Sequence, residues 1–349
     1  MSVSEQQVET AIKEIVDPNL EQDLVSAKCV KSTNISNGSV SVDVELGYPA
    51  KGYIDELTAL LKEKIQAIEG VTEAKINISS KIVSHTVQKG VKPIEGVKNI
   101  IAIASGKGGV GKSTTAANLA LALAREGARV GVLDADIYGP SQGIMFGIAE
   151  GTRPEIRDGT AFIPLEAHGV QVMSMAFLSD DKTPMAWRGP LVCGALSQLI
   201  TQTAWDDLDY LVVDMPPGTG DAQLTMAQQV PLAGAVIVST PQDLALIDAR
   251  KGLKMFQNVD VPILGIIENM SSFICPHLGE TSDIFGHGGA KDEAIKLAVP
   301  FLGAIPLHMD IRKHSDEGKP TVVADPDGPH TKIYKAIALN IAMQLRDDE

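Results

Sequence analysis

A glycine-rich segment between an apolar run and a stretch of helical length constrains the fold most. The segment spans residues 106–114 and reads GKGGVGKST. Residues 100–104 before it are apolar, and the run TTAANLALALA that it opens is typical of a helix. In this context the pattern G-x-x-x-x-G-K-[ST] predicts a P-loop, in which backbone N–H groups at a helix N-terminus surround nucleotide phosphates. A glycine-rich turn without a ligand is the alternative, and the order of strand, loop and helix disfavours it.

Every residue of this loop is a candidate nucleotide contact. We expect Lys112 to reach the β- and γ-phosphates of ATP and the Ser113 hydroxyl to ligate Mg²⁺. The predicted nucleotide-binding residues of the loop are Gly106, Lys107, Gly108, Gly109, Val110, Gly111, Lys112, Ser113 and Thr114.

Short apolar segments alternate with stretches of helical length after residue 99. The strand-like segments are IIAIAS, RVGVLDAD, YLVVDMPP, GAVIVST, PILGIIENM and FLGAIP. Continuous runs of Val and Ile indicate strands buried on both faces. The alternation predicts an α/β fold, a P-loop NTPase domain over residues 99–349 with a mostly parallel sheet flanked by helices.

The first 80 residues have the pattern of a separate small α+β domain. Apolar residues at helical spacing predict a helix over residues 6–16. Asn37-Gly38 is a hairpin turn signal, and it precedes the alternating strand SVSVDVEL at residues 39–46. Residues 81–98 show no clear period and are predicted to be a linker.

The loop and several later motifs resemble one known family. A second lysine within the loop, Lys107, resembles the deviant P-loop of the SIMIBI class of ATPases. Together with LDADIYGPS, MAWRGP, DMPPGTGD and ENMSSFICPHLGETSDIFGHGGA, it closely resembles the Mrp/ApbC (Nbp-type) iron–sulfur cluster carriers from about residue 97 to 345. DPNLEQDLV near the N-terminus is similar to the SufT-like domain often fused ahead of these ATPases.

The resemblance implies roles for residues outside the loop. Lys107 is expected to reach the partner's phosphates across a nucleotide-sandwich homodimer, and Asp136 to position the attacking water. Asp214 ends a strand that resembles Walker B and is expected to hold the Mg²⁺ shell. Asn269 is expected at the adenine edge and Pro306 in the base pocket, whereas Asp134 is a weaker candidate that supports the loop.

The three cysteines, Cys29, Cys193 and Cys275, are too few for a disulfide scaffold. The family carries C-x-x-C near Cys275, and two such pairs across a dimer imply four thiolates for a 4Fe–4S cluster. Here the motif reads Cys275-Pro276-His277-Leu278, so Leu278 replaces the second cysteine. Cys275 is therefore the predicted cluster ligand, with His277 as a possible additional ligand. A free thiol without metal at Cys275 is the alternative, and we interpret Cys29 and Cys193 as small buried hydrophobes.

The resemblance implies an ATP-hydrolysing carrier or scaffold that delivers clusters to apoprotein recipients. Cluster-assembly proteins and a second copy of the chain are the other implied partners. The alternatives are a Min/Par-type spatial-organising ATPase without a cluster and a reductase like the nitrogenase iron protein. The net charge of −14 disfavours nucleic acid, and the acidic end of KIYKAIALNIAMQLRDDE disfavours a basic membrane helix. Without a signal pattern or a membrane-length apolar run, we expect a cytoplasmic protein.

Overall fold

The computed structural model describes residues 3–85, 91–178, 189–275 and 278–346. The chain divides into two compact units. The first comprises Met1–Val83, Arg125–Gly127 and Ala342–Glu349, and the second comprises Ser84–Ala124 and Ala128–Ile341. Among the described residues, no helix has both the length and the apolar character needed to cross a bilayer.

The first unit contains two helices and five strands among its described residues. They are α1 Glu5–Lys13, β1 Val16–Asp17, β2 Gln22–Asp23, β3 Val30–Ser36, β4 Ser39–Leu46, α2 Ile54–Gln66 and β5 Glu73–Ser80. β3 and β4 are antiparallel around Asn37 and Gly38, whose φ angles are both positive, as a type I′ turn requires. The predicted hairpin is therefore present, and β4 buries alternate residues.

The helix predicted over residues 6–16 is shorter than expected. It begins after Ser4, whose hydroxyl accepts a hydrogen bond from the Gln7 backbone N–H at 3.3 Å. It ends at Lys13 because the next residues pair with another strand, Val16 opposite Asp23. Tertiary pairing thus ends this helix three residues before its predicted end at residue 16.

The second unit is built on a large sheet. The described strands of the second unit are β6 Val97–Ala104, β7 Val130–Asp134, β8 Ile156–Arg157, β9 Ala161–Phe162, β10 Leu165–Ala167, β11 Val170–Ser174, β12 Leu208–Asp214, β13 Gly234–Ser239, β14 Ile263–Ile274, β15 Thr281–Ser282 and β16 Phe301–Leu307. The described helices of the second unit are α3 Lys112–Arg125, α4 Gln142–Met145, α5 Gly189–Gln202, α6 Asp221–Gln229, α7 Asp243–Gln257, α8 Gly289–Leu297, α9 Met309–Asp316, α10 Thr321–Ala324 and α11 Pro329–Gln344. The last residues of α3 and of α11 are assigned to the first unit.

The order of strands places the carboxyl ends of the central strands side by side. Among the described residues the order is β10-β11-β7-β12-β6-β13-β14-β15, with β16 also paired to β14. The pairs from β11 to β14 are parallel, and β10 and β15 are antiparallel additions at the ends. Every residue of β7, β12 and β13 is buried, as their apolar runs predict. This confirms the predicted fold class, and β6 begins at Val97, inside the predicted linker.

Candidate functional site

The glycine-rich segment forms the predicted loop between β6 and α3. Gly109 and Gly111 both have a φ of +81°, which residues with a side chain rarely adopt. A Cβ on Gly111 would also lie 2.1 Å from Nδ2 of Asn269. Sterics therefore require glycine at position 111, and the loop opens α3 as a phosphate-binding loop does.

Lys112 lies at the centre of a buried cluster of charges. Its Nζ donates a hydrogen bond to Oδ1 of Asp214 and lies 4.0 Å from Oδ2 of Asp136. Its Nζ is 3.3 Å from the hydroxyl oxygen of Ser113. The side chains of Lys112 and Asp214 are only 6% and 0% exposed. Lys112 thus lies close to both predicted Mg²⁺ ligands, Ser113 and Asp214, and to Asp136, the predicted water-positioning acid.

Sheet register brings the acids together. β12 pairs in parallel with β7, so that Asp214 is level with Asp134 at the carboxyl end of the sheet. Asp136 lies just beyond that end, and its side chain is 13% exposed. Burial raises the pKa of Asp136, and the nearby ammonium of Lys112 opposes that rise. Asp136 is therefore an acid held close to the P-loop lysine in a partly desolvated position.

Asp134 supports the loop that follows β7. Its carboxylate accepts hydrogen bonds from the backbone N–H groups of Ser141 at 2.9 Å and Gln142 at 3.0 Å, and from that of Asp136 at 3.2 Å. The Ser174 hydroxyl donates to the same carboxylate at 3.3 Å. Burial, followed by the charge of Asp214, raises the pKa of Asp134, although the backbone donors oppose that rise. Its position agrees with the supporting role predicted for it.

Asn269 and Pro306 lie on neighbouring strands beside the loop. Asn269 is in β14 and pairs with Ile305 of β16, so Pro306 follows its partner directly. The Asn269 Nδ2 donates a hydrogen bond to the Val110 carbonyl at 2.8 Å. This amide fixes the P-loop backbone, a contact that the sequence did not indicate, and the adenine contact stays a prediction.

Gln142 is a site residue that the sequence analysis missed. Its side chain is completely buried, and its Nε2 donates to Oδ2 of Asp214 at 2.8 Å and to the Ser113 carbonyl at 3.1 Å. One sequence feature could have indicated this residue. Gln142 directly follows LDADIYGPS, one of the motifs that carry the family resemblance. Nothing in the chain's periodicity indicates that this amide turns back towards β12.

Cys275 lies where a β-hairpin extends from the sheet. It directly follows β14, and β14 pairs antiparallel with β15 through Ile274 opposite Thr281. The Cys275 N–H donates to the Glu280 carbonyl at 2.9 Å, and its own carbonyl accepts from Gly279 at 2.8 Å. The residue is partly exposed, and Leu278, three positions further along the chain, is 73% exposed. Cys275 is therefore not enclosed in the core of the second unit.

Among the other cysteine and histidine side chains considered for the cluster, the structure describes that of Cys29. Cys29 lies in the first unit and is only 3% exposed, as its interpretation as a buried hydrophobe predicts. His277 and the side chain of Cys193 lie outside the described residues, as does most of MAWRGP. In the part of the chain that the structure describes, no three His, Cys, Asp or Glu side chains form a group that could hold a metal ion.

These features define a P-loop NTPase. They are the parallel sheet, the glycine-rich loop between β6 and α3, and the acids at the ends of β7 and β12. A family model of NUBPL iron-transfer P-loop NTPases matches residues 96–342, and one of iron–sulfur cluster assembly proteins matches residues 5–77. The chain belongs to the family of iron–sulfur cluster carrier P-loop NTPases, which confirms the resemblance read from the sequence.

Individual relatives agree with this assignment. An iron–sulfur cluster carrier protein of Pseudomonas fragi is 62% identical over 80% of this chain and 98% of its own length. The corresponding protein of Escherichia coli K12 is 47% identical over 94% of this chain and 89% of its own. A nucleotide-binding protein of Archaeoglobus fulgidus, solved in complex with ADP, is 39% identical with a TM-score of 0.59, covering 68% of this chain and 92% of that one.

Proposed function

We propose that this chain is an ATP-hydrolysing iron–sulfur cluster carrier that acts as a homodimer. The convergence of Lys112, Asp214 and Asp136 beside the P-loop carries the catalytic part of this proposal. Family membership supports the carrier part. A spatial-organising ATPase without a cluster is disfavoured because both matching family models describe iron–sulfur proteins.

Nucleotide binding changes the partner of Lys112. The triphosphate attracts Lys112 away from Asp214 because its β- and γ-phosphates carry more negative charge than one carboxylate. Asp214 and the Ser113 hydroxyl then present oxygen atoms, the ligands that Mg²⁺ prefers. Mg²⁺, when bound, neutralises charge on the phosphates during transfer. Asn269 and Pro306 hold the base beside the loop.

Asp136 orients the water that attacks the γ-phosphate. The transition state of phosphoryl transfer requires the attacking oxygen in line with the leaving group, so positioning is the main task of the protein. A carboxyl whose pKa is raised also accepts a proton from water more readily. Asp134 keeps Asp136 in place by binding its backbone N–H.

The homodimer places the two P-loops face to face. Exposed apolar side chains lie on segments that follow the carboxyl ends of β7, β13 and β14. Tyr138 is 71% exposed, Leu244 73% and Leu278 73%. Large apolar side chains on one edge of a sheet are typical of a contact surface. Lys107 lies in the P-loop, and it reaches the partner's phosphates when this surface binds the same surface of a second protomer.

The cluster is the cargo, and Cys275 is its ligand in each protomer. Two protomers supply two thiolates, fewer than the four that hold a resident 4Fe–4S cluster. The remaining iron positions are therefore open to thiolates of an apoprotein recipient or a cluster-assembly protein. Cys275 follows the strand that carries Asn269, so β14 connects the nucleotide site with the cargo site and couples hydrolysis to delivery.

Two measurements test this proposal. Wild type should hydrolyse ATP in the presence of Mg²⁺, and Lys112→Ala should abolish turnover. Anaerobic reconstitution with iron and sulfide should load the wild type and the Cys29→Ala control equally, whereas Cys275→Ala should retain little iron. Unchanged turnover in Lys112→Ala would refute the assigned nucleotide site. Equal iron in all three proteins of the reconstitution experiment would refute the cargo site.

A further inference from the structure

The Gln142 side chain connects three parts of the nucleotide site. Its backbone N–H binds Asp134 at the end of β7, and its Nε2 binds both Asp214 at the end of β12 and the Ser113 carbonyl at the start of α3. The residue is completely buried. Both its backbone and its side chain are therefore fixed relative to the two predicted Mg²⁺ ligands.

The orientation of the carboxamide follows from its partners. Oδ2 of Asp214 and the carbonyl oxygen of Ser113 are both acceptors, so the group that faces them has to be the NH₂ donor. Oε1 must then point away from them. Among the described residues this buried Oε1 has no hydrogen-bond partner. A buried acceptor without a partner is costly, and water or a ligand commonly satisfies it.

The two oxygens of Asp214 have separate partners. Lys112 binds Oδ1, and Gln142 binds Oδ2. When Lys112 moves to the phosphates, Oδ1 loses its partner while Gln142 still holds Oδ2. Gln142 thus determines the direction in which the released oxygen points.

We propose that Gln142 is a positioning residue for the Mg²⁺ shell. Its Nε2 orients Asp214, and its Oε1 is an acceptor left open to a buried water molecule. Gln142 acts through its own carboxamide, and this role does not require the side chain to touch the metal ion. This inference rests on the proposed Mg²⁺-dependent ATP hydrolysis, and it assigns a role to a residue between the loop of Asp136 and the P-loop.

The test is the affinity for a divalent cation, measured apart from turnover. Mn²⁺ binding to the protein with a non-hydrolysable ATP analogue is followed by electron paramagnetic resonance. Gln142→Leu keeps the approximate volume and removes both polar atoms. We expect its Mn²⁺ affinity to fall about 10–100-fold, the usual effect of removing a group that orients a metal's ligands. Nucleotide binding without a divalent cation should stay within about threefold of wild type, since Gln142 makes no predicted contact with the phosphates.

A matched control separates this role from general destabilisation. Gln171 lies in β11, and its Oε1 accepts the backbone N–H of Asp206 at 3.1 Å, at the opposite end of that strand from Ser174. Gln171→Leu makes the same substitution at a half-buried glutamine, removes a hydrogen bond that this side chain accepts, and should keep wild-type Mn²⁺ affinity. If Gln142→Leu fails to fold by circular dichroism, Gln142→Met, which keeps the length of the side chain, replaces it.

The steady-state constants give an independent readout. Gln142→Leu should lower kcat and raise the Mg²⁺ concentration for half-maximal rate, with a smaller change in the KM for ATP. Wild-type Mn²⁺ affinity and kcat in a folded Gln142 variant would overturn the inference while leaving the proposed function intact. Absence of Mg²⁺-dependent turnover in wild type would instead refute the proposed function.

Discussion

Lys112 and Asp214 form a buried ion pair that joins the P-loop to the carboxyl end of β12. Desolvation makes such a pair costly to form, but removing one partner leaves an uncompensated charge in the interior. This relationship gives the two lysines of the P-loop different expected effects on stability.

Lys112→Ala should lower the free energy of unfolding by about 3–5 kcal/mol, because it leaves the Asp214 carboxylate buried with Gln142 as its one remaining donor among the described residues. Lys107→Ala should change it by less than about 0.5 kcal/mol, because Lys107 is partly exposed and pairs with no described carboxylate. Both variants should lose ATP turnover. Denaturant titration and a turnover assay measure the two effects, and equal stability of the two variants would contradict the buried-pair argument.

Gly111→Ala should destabilise the protein and abolish nucleotide binding. The positive φ alone costs roughly 1–2 kcal/mol for a residue with a Cβ, and that Cβ would overlap Nδ2 of Asn269. Gly108→Ala is the matched control, because within the described part of the chain no atom beyond its immediate neighbours lies within 4 Å of its Cβ position. Thermal unfolding should separate the two variants, and a normal melting temperature for Gly111→Ala would show that the loop has another conformation.

Asp134 should give a specific pH dependence of stability. Its pKa is raised in the folded protein, so the folded state binds this proton more tightly than the unfolded state. The stability that it contributes is complete below about pH 4, the ordinary range of an aspartate, and is lost as the pH rises towards its folded pKa. The difference in unfolding free energy, wild type minus Asp134→Asn, should therefore fall as pH rises above about 4. A difference that stays constant between pH 4 and 7 would contradict a raised pKa.

Leu278→Cys should strengthen binding of the cargo. The side chain is 73% exposed, so the substitution removes little buried apolar surface and should leave the melting temperature nearly unchanged. It would restore C-x-x-C and increase the thiolates in a dimer from two to four. Iron loss to a chelator after anaerobic reconstitution should be slower than in wild type. Equal rates of loss would mean that residue 278 does not face the cargo, and Leu278→Ser serves as the control without a thiolate.

The sequence predicted the parts of the site that depend on local patterns. The P-loop follows from glycine spacing, and the parallel sheet follows from apolar segments that alternate with stretches of helical length. The structure adds that Asp134 and Asp214 are level at one edge of that sheet. Gln142 could not be predicted in this way, because its partners are distant in sequence and are reached only through the turn anchored on Asp134. The early end of α1 has a similar cause, since the pairing of Val16 with Asp23 is a tertiary contact.

The ion pair between Lys112 and Asp214 also has a consequence for selectivity. Inorganic phosphate can attract Lys112, and a divalent cation can attract Asp214, but each alone leaves one member of the pair as an unbalanced buried charge. A ligand that carries an anion and a cation together neutralises both members at once. On electrostatic grounds the pair therefore favours a ligand that brings an anion and a cation together, as a metal-bound nucleotide would, over either ion alone.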